Sequence, residues 1–178
     1  MLGISSVKAA VTIQRSAAIK IQAMDRGQQL RNKQLLEAAY SGDISKVKNL
    51  LARGANVNVT GNNGTKPLHI AAIFGDLEIA KLLINKGADI NANDNGVNTA
   101  LHWAVHKSYK EIVQLLVKAG ADINARDIWE NTALQRATTL GHNVKLKNAI
   151  EEGKTDLINL AKAIPMIAKH LELSLIHI

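Results

Sequence analysis

The chain has 178 residues, a formal net charge of +7 and no cysteine. The lack of cysteine excludes a disulfide framework and thiolate chemistry, and no apolar run approaches the roughly 20 residues that a membrane-spanning helix needs. Hydrophobic residues make up 47% of the chain, which at this length supports one domain with a substantial core.

The charge is concentrated at one end. Residues 1–34 hold Lys8, Arg15, Lys20, Arg26, Arg31 and Lys33 against Asp25 alone, a surplus of +5, and the rest of the chain is nearly neutral. A near-neutral body argues against a grip on a phosphate backbone, so no nucleic-acid partner is expected.

In chain order, the first eight residues show little pattern, and Ala9 to about Gln34 is predicted as one helix. Ile13, Ala17, Ile21, Met24 and Gln28 fall on one face at steps of four, four, three and four, and Lys8, Arg15, Gln22, Arg26 and Lys33 lie along another. A basic amphipathic helix suits a surface helix, a membrane-surface helix or a calmodulin target. Within it, Ile21-Gln22, Arg26-Gly27 and Arg31, preceded by Ala17-Ala18, resemble the IQ motif, the helix that calmodulin and related EF-hand light chains embrace. The resemblance implies that Ile21 enters an apolar groove while Arg26 and Arg31 meet an acidic rim, and that Gly27 lets the partner approach the backbone. The pattern departs at Gln34, where the family has an apolar residue and this chain has Leu35 one place later. An upstream half-match at Ile13-Gln14 has Ala18 and Ile19 in place of Arg and Gly. Two other readings stay open: a helix that only caps the structure C-terminal to it, and a mitochondrial transit peptide, since the first 24 residues contain three cations and no acid. A transit peptide does not require Gly27 and Arg31 at their places.

From residue 33 onward the sequence repeats. The string GA(N/D)(V/I)N begins at Gly54, Gly87 and Gly120, and Gly153 stands at the next step; Leu68, Leu101 and Leu134 keep the same 33-residue spacing, as do Pro67, Ala100 and Ala133. A fixed period of this length signals a stacked repeat array. Within a unit, Pro67 suits a first helical turn, and Leu68, Ala71 and Ala72 give a short apolar face ended by Gly75. Leu77, Ile79, Ala80, Leu82, Leu83 and Ile84 form a second apolar helix, which Gly87 stops by supplying a left-handed residue. Ala88 to Gly96 continues as an extended turn, with Asn95-Gly96 favouring positive φ. One such pair cannot bury its apolar face alone, so neighbouring units must stack.

The unit resembles an ankyrin repeat through Pro67-Leu68-His69, Thr99-Ala100-Leu101-His102, the Leu82-Leu83 and Leu115-Leu116 pairs and the GADIN strings. The fold class expected is all-α: an ankyrin-repeat solenoid of stacked helix pairs with short hairpin-like turns, preceded by a basic amphipathic helix. Expected boundaries are 1–32 for the IQ-type helix, 33–153 for four units (33–60, 61–93, 94–126 and 127–153), and 154–178 for a C-terminal cap and tail. In the first unit the apolar positions are Leu36, Ala39, Val47, Leu50 and Leu51, and its first helix is free to run on from the arm. Lys66 replaces the usual Thr before Pro, with Thr65 one place early, which puts the family's Thr–His bond in question there. In the fourth unit Gln135 replaces His, and Asn148 stands where Leu82 and Leu115 stand earlier.

The family's concave groove, lined by hairpin tips and the ends of the first helices, maps onto Tyr40, Ile73, Phe74, Asn95, Asn98, His106, Lys107, Ile128 and Trp129. Exposed aromatic side chains are common interface anchors; the alternative is that Tyr40 or Phe74 packs into a neighbouring unit. His69 is expected to bridge turns within the stack. His102 and His106, four apart on a helix, have neither a Glu nor a third ligand beside them, and there is no nucleophile elbow or phosphate-binding glycine loop. Glu151-Glu152 is read as solvated surface. After Gly153, Leu157, Leu160, Ile164, Ile167, Ala168 and Leu171 suggest a covering helix broken near Pro165, and LSLIHI at residues 173–178 resembles a truncated adapter-derived tail.

The reading is a non-enzymatic, monomeric, cytoplasmic adaptor without metal or cofactor. Its groove binds a protein, and its N-terminal helix binds calmodulin or an EF-hand light chain. The alternatives are a regulatory fragment of a longer enzyme or channel, and an organellar interaction protein with a transit peptide.

Overall fold

The computed structural model describes residues 3–139, 148 and 150–152, with side chains from residue 14 to 136 and at the last four of these positions. The covering helix expected over residues 156–171, the tail at 173–178, and the side chains of Lys8 and Ile13 lie outside the described residues.

Helix α1 runs from Gly3 to Tyr40, 38 residues. It therefore begins before Ala9, the predicted start, and crosses the expected boundary at residue 32 without a break. The physical reason is that it holds no proline and, after the first turn, a single glycine, Gly27, at a cost of about 1 kcal/mol relative to Ala. Gly42, at φ +69°, is the first residue that stops it, and the Asp43 amide then closes back on the Ala38 carbonyl at 3.0 Å. Helix α2 (Ile44–Ala52) is N-capped by Asp43, whose carboxylate accepts from the Lys46 amide at 2.9 Å.

Helices α3 (Pro67–Phe74) and α4 (Leu77–Asn85) come next, then α5 (Ala100–His106), α6 (Lys110–Lys118) and α7 (Ala133–Thr139). Pro67 opens α3 and Gly75 ends it at φ +83°. Gly42, Gly75 and Ser108 occupy one position of the 33-residue period, and all three are left-handed. Helices α1, α3, α5 and α7 pack side by side in one row, while α2, α4 and α6 form a second row. Between the rows, Leu35, Val47, Leu83, Val113 and Leu116 are completely buried, and Leu68, Ile79, Leu101 and Ile112 are buried to within 2%. Each such side chain contributes about 1.5–3 kcal/mol through removal from water, and these residues come from every pair in one continuous cluster. This is the all-α solenoid expected from the period. The described residues contain no β-strand, only an antiparallel bridge between Arg126 and Thr132.

The loops are fastened by a ladder of asparagines. Asn58 Nδ2 donates to the Gly87 carbonyl (3.3 Å) and its Oδ1 accepts from the Asp89 amide (2.8 Å); Asn91 repeats both bonds to Gly120 (3.4 Å) and Asp122 (2.8 Å). At the first loop, α1 supplies the equivalent contacts with two side chains. Gln28 Nε2 donates to the Gly54 carbonyl (2.8 Å), and Asn32 Oδ1 accepts from the Asn56 amide (2.8 Å).

The hairpin tips correct one expectation. Positive φ falls not at Asn95-Gly96 but one residue on, at Val97 (φ 57°), and at the period-related Gly64 (φ 73°) and Glu130 (φ 60°). Asp94 imposes this bend, because its Oδ1 accepts from the amides of both Gly96 (2.8 Å) and Asn98 (2.9 Å). Gly96 serves close approach instead: a Cβ there would stand 2.6 Å from Asn98 Nδ2.

At the far end, Ile150 is buried and Asn148 exposed, so the polar substitution at 148 does not enter the core. Glu152 is not simply solvated: it pairs with Lys110 at 3.5 Å and accepts from Gln114.

Candidate functional site

The hairpin tips stand in a row joined by backbone bonds. The Asn95 amide donates to the Asn63 carbonyl (2.9 Å), and the Ile128 amide to the Gly96 carbonyl (3.2 Å). Behind the tips, Asp94 Oδ2 accepts from the Trp103 indole N–H at 2.9 Å. Burial alone would raise the Asp94 pKa, but the hydrogen bonds from Asn98, Trp103 and Gly96 together lower it below the ordinary value. One period later Asp127, buried, pairs with Arg136 Nε at 2.9 Å. Arg136 also donates to Asn98 Oδ1 (2.9 Å) and lies over the Trp129 ring, 5.0 Å from its centroid.

The expected groove residues separate into groups on this frame. Tyr40 and Phe74 are about half exposed and meet edge to face, with centroids 5.9 Å apart and planes at 78°. Ile128 (55% exposed) and Trp129 (62%) stand on the last tip, with Val97 beside them on the tip before. Asn95 and Lys107 are exposed, whereas Ile73 and His106 are half-buried, His106 standing edge to face with Trp103 at 6.1 Å. Asn98 departs from the expectation. It is only 5% exposed, because its amide nitrogen is bound to Asp94 and its oxygen to Arg136, so it braces the hairpin and presents nothing to a groove. Sequence reasoning missed Arg136. Its signal was the period, which aligns Ile70, Trp103 and Arg136 and so replaces one anchor of the hairpin Asp with another. At the N-terminal end of the row, Lys33, Leu36, Tyr40 and Asn62 line an open concavity of about 580 Å³.

The buried histidines are spoken for. His69 Nδ1 accepts from the Lys66 amide (3.0 Å) and its Nε2 contacts the Ala92 carbonyl (3.0 Å). These partners require a neutral ring with the proton on Nε2, which crosses to the next loop as expected. His102 repeats the arrangement with the Thr99 amide (3.2 Å), the Thr99 hydroxyl (2.9 Å) and the Asn131 carbonyl (3.2 Å). At Lys66 the hydroxyl contact is missing and Thr65 binds the Asn62 carbonyl instead. Burial depresses both imidazoles below 6.5, partly opposed by the carbonyl bonds. In the last unit Gln135 Oε1 accepts from the Thr132 amide (2.8 Å), reproducing the local half of the histidine's role. Among the described residues, no group of three or more His, Asp or Glu is placed to hold a metal ion.

The motif residues on α1 lie on a helix that is exposed at every position from 14 to 26. Ile21 is 60% exposed, Met24 72%, and Gln22 and Arg26 are likewise in solvent. Gly27 and Arg31 are half-buried. Arg31 Nη2 donates to Gln28 Oε1 (2.8 Å), and its side chain folds across Gly27, where a Cβ would approach Nη1 to 3.3 Å. Among the described residues no helix is long and apolar enough to cross a membrane.

Residues 35–127 match the family model described as Ankyrin repeats (3 copies). No curated protein matches the chain.

Proposed function

The chain belongs to the ankyrin repeat family, whose members act in protein–protein interaction, and from that premise we propose that it is a two-site adaptor. Its groove takes a partner protein through the Tyr40–Phe74 pair and the Ile128–Trp129 tip. Its N-terminal helix takes calmodulin or a related EF-hand light chain through Ile21, Gln22, Arg26, Gly27 and Arg31. A calmodulin-type partner would set this activity in a eukaryotic cytoplasm. The observation that carries the reading is the solvent-exposed stretch of α1. A helix whose residues 14–26 are all exposed, with Ile19, Ile21 and Met24 each at least 60% in solvent, leaves uncompensated apolar surface that a partner's groove would cover. Arg15, Lys20 and Arg26 against Asp25 on the same stretch favour an acidic partner.

Titration of the whole chain with calmodulin, with and without calcium, beside an Ile21→Ala/Arg26→Ala variant tests this. The reading expects binding that the variant loses; equal binding by both proteins, or none by either, refutes it. For the groove, Trp129→Ala and Phe74→Ala should each weaken capture of the partner while leaving calmodulin binding unchanged.

A further inference from the structure

We propose that the calmodulin-type target on α1 is half masked by the first helix pair, so that a helix-embracing acidic partner and the closure of α2 onto α1 compete for one turn of helix. This rests on the calmodulin-type reading above and adds a control to it.

The argument starts from helical geometry. Residues three and four apart share a face, so Ile21, Met24, Gln28, Arg31 with Asn32, Leu35 and Ala38 with Ala39 form one continuous stripe. Leu35, Ala38 and Ala39 are fully buried in the core. One turn earlier, Gln28 and Asn32 hold the Gly54 carbonyl and the Asn56 amide, each at 2.8 Å. A further turn back, Ile21 and Met24 are 60% and 72% exposed. The boundary between the docked and free halves of the stripe thus falls inside the motif, after Arg26 and before Arg31.

Arg31 is held on the docked side. Its Nη2 is bonded to Gln28 Oε1, and its Nε is buried with no partner. A partner gripping only Ile21, Gln22 and Arg26 meets no obstacle. One that closes round the helix as far as Arg31 must displace Gln28 and Asn32 from the loop at residues 54–56. Two hydrogen bonds of ordinary net worth, about 0.5–1.5 kcal/mol each, correspond to a weakening of about 5- to 150-fold.

The test compares wild type, Gln28→Ala/Asn32→Ala and Ile21→Ala/Arg26→Ala, all as full chains, titrated with calmodulin with and without calcium. Amide hydrogen exchange at Asn56 is followed in the wild type. Masking expects Gln28→Ala/Asn32→Ala to bind about 5- to 150-fold more tightly, and the Asn56 amide to exchange faster once calmodulin is bound. If wild type and Gln28→Ala/Asn32→Ala bind equally, or if Asn56 exchange does not change in the complex, masking is overturned while the calmodulin reading stands. If none of the three proteins binds, both fall together. Should the double alanine variant fail to melt cooperatively, the exchange measurement on wild type decides alone.

Discussion

His102 touches two units at once, and replacing it with Gln separates its two contacts. Gln135 shows that a Gln at this position caps the local turn through Oε1, and a Gln amide lacks the rigid ring that sets His102 Nε2 on the Asn131 carbonyl. His102→Gln should therefore keep the bond to the Thr99 amide and lose the one to the Asn131 carbonyl. The expected loss at pH 7.5 is about 1–3 kcal/mol, the lower figure for a hydrogen bond exchanged with water and the upper for a carbonyl left without a donor. The pH dependence adds a second signature. His69 and His102 have folded pKa values depressed below 6.5, so on acidification the unfolded chain takes up protons that the folded chain refuses. Their stabilisation is complete above pH 6.5 and is lost as pH falls from there towards the depressed values. The two rings together add at most about 2.7 kcal/mol per pH unit to this loss, and with His102 removed the limit halves to about 1.4. Urea unfolding at pH 7.5, 6.5 and 5.5 measures both effects. An unchanged midpoint at pH 7.5, or identical slopes for the two proteins below pH 6.5, would refute this account of the histidine.

Two further substitutions probe one backbone position in opposite directions. Gly64→Ala places a Cβ 2.5 Å from Asn95 Oδ1 at φ +73° and should destabilise by about 1–3 kcal/mol. Val97→Gly relieves a β-branched residue from the same left-handed region and should raise the urea midpoint by the equivalent of about 1 kcal/mol. Leu35→Ala, at a fully buried site, should cost about 2–5 kcal/mol, whereas Ile21→Ala should fall within about 0.5 kcal/mol of wild type; equal thermal melts for these two would contradict the docked and free halves of α1. Arg136→Ala strips the buried Asp127 carboxylate of its cation and should cost about 3–5 kcal/mol, with a changed Trp129 fluorescence spectrum; an unaltered melt would show that the pair contributes little.

The repeat was legible because stacking demands the same residue at the same step. Leu68 and Leu101 must enter the same core, His69 and His102 must each cap their own turn and reach a carbonyl of the next loop, and each leaves a mark every 33 residues. What escaped the sequence was whatever breaks the step. The first asparagine rung is absent at the periodic position, Asp25, because that residue lies on the free helix; Gln28 and Asn32 supply the rung from a helical spacing that no period announces. Helix α1 starts before Ala9 because no proline and, after Gly3, no glycine stands there to stop it. Asn98 was read as exposed because Asn in a turn usually faces water, and only the folded hairpin brings Asp94 and Arg136 to its two ends. Val97 took a strained φ through the hydrogen bonds of Asp94, against its own local preference.

The continuity of α1 makes it a ruler. At 1.5 Å per residue, the 19 steps from Ile21 to Tyr40 span about 28 Å, and an unbroken helix fixes direction as well as distance. Whatever grips Ile21 is therefore held at a set length and azimuth from whatever rests on Tyr40, without the distribution of separations that a flexible tether would allow. Such a spacer is sensitive to phase. One residue inserted before Gln28 would swing Ile21 through about 100°, while seven would return it close to its original face roughly 10 Å farther out.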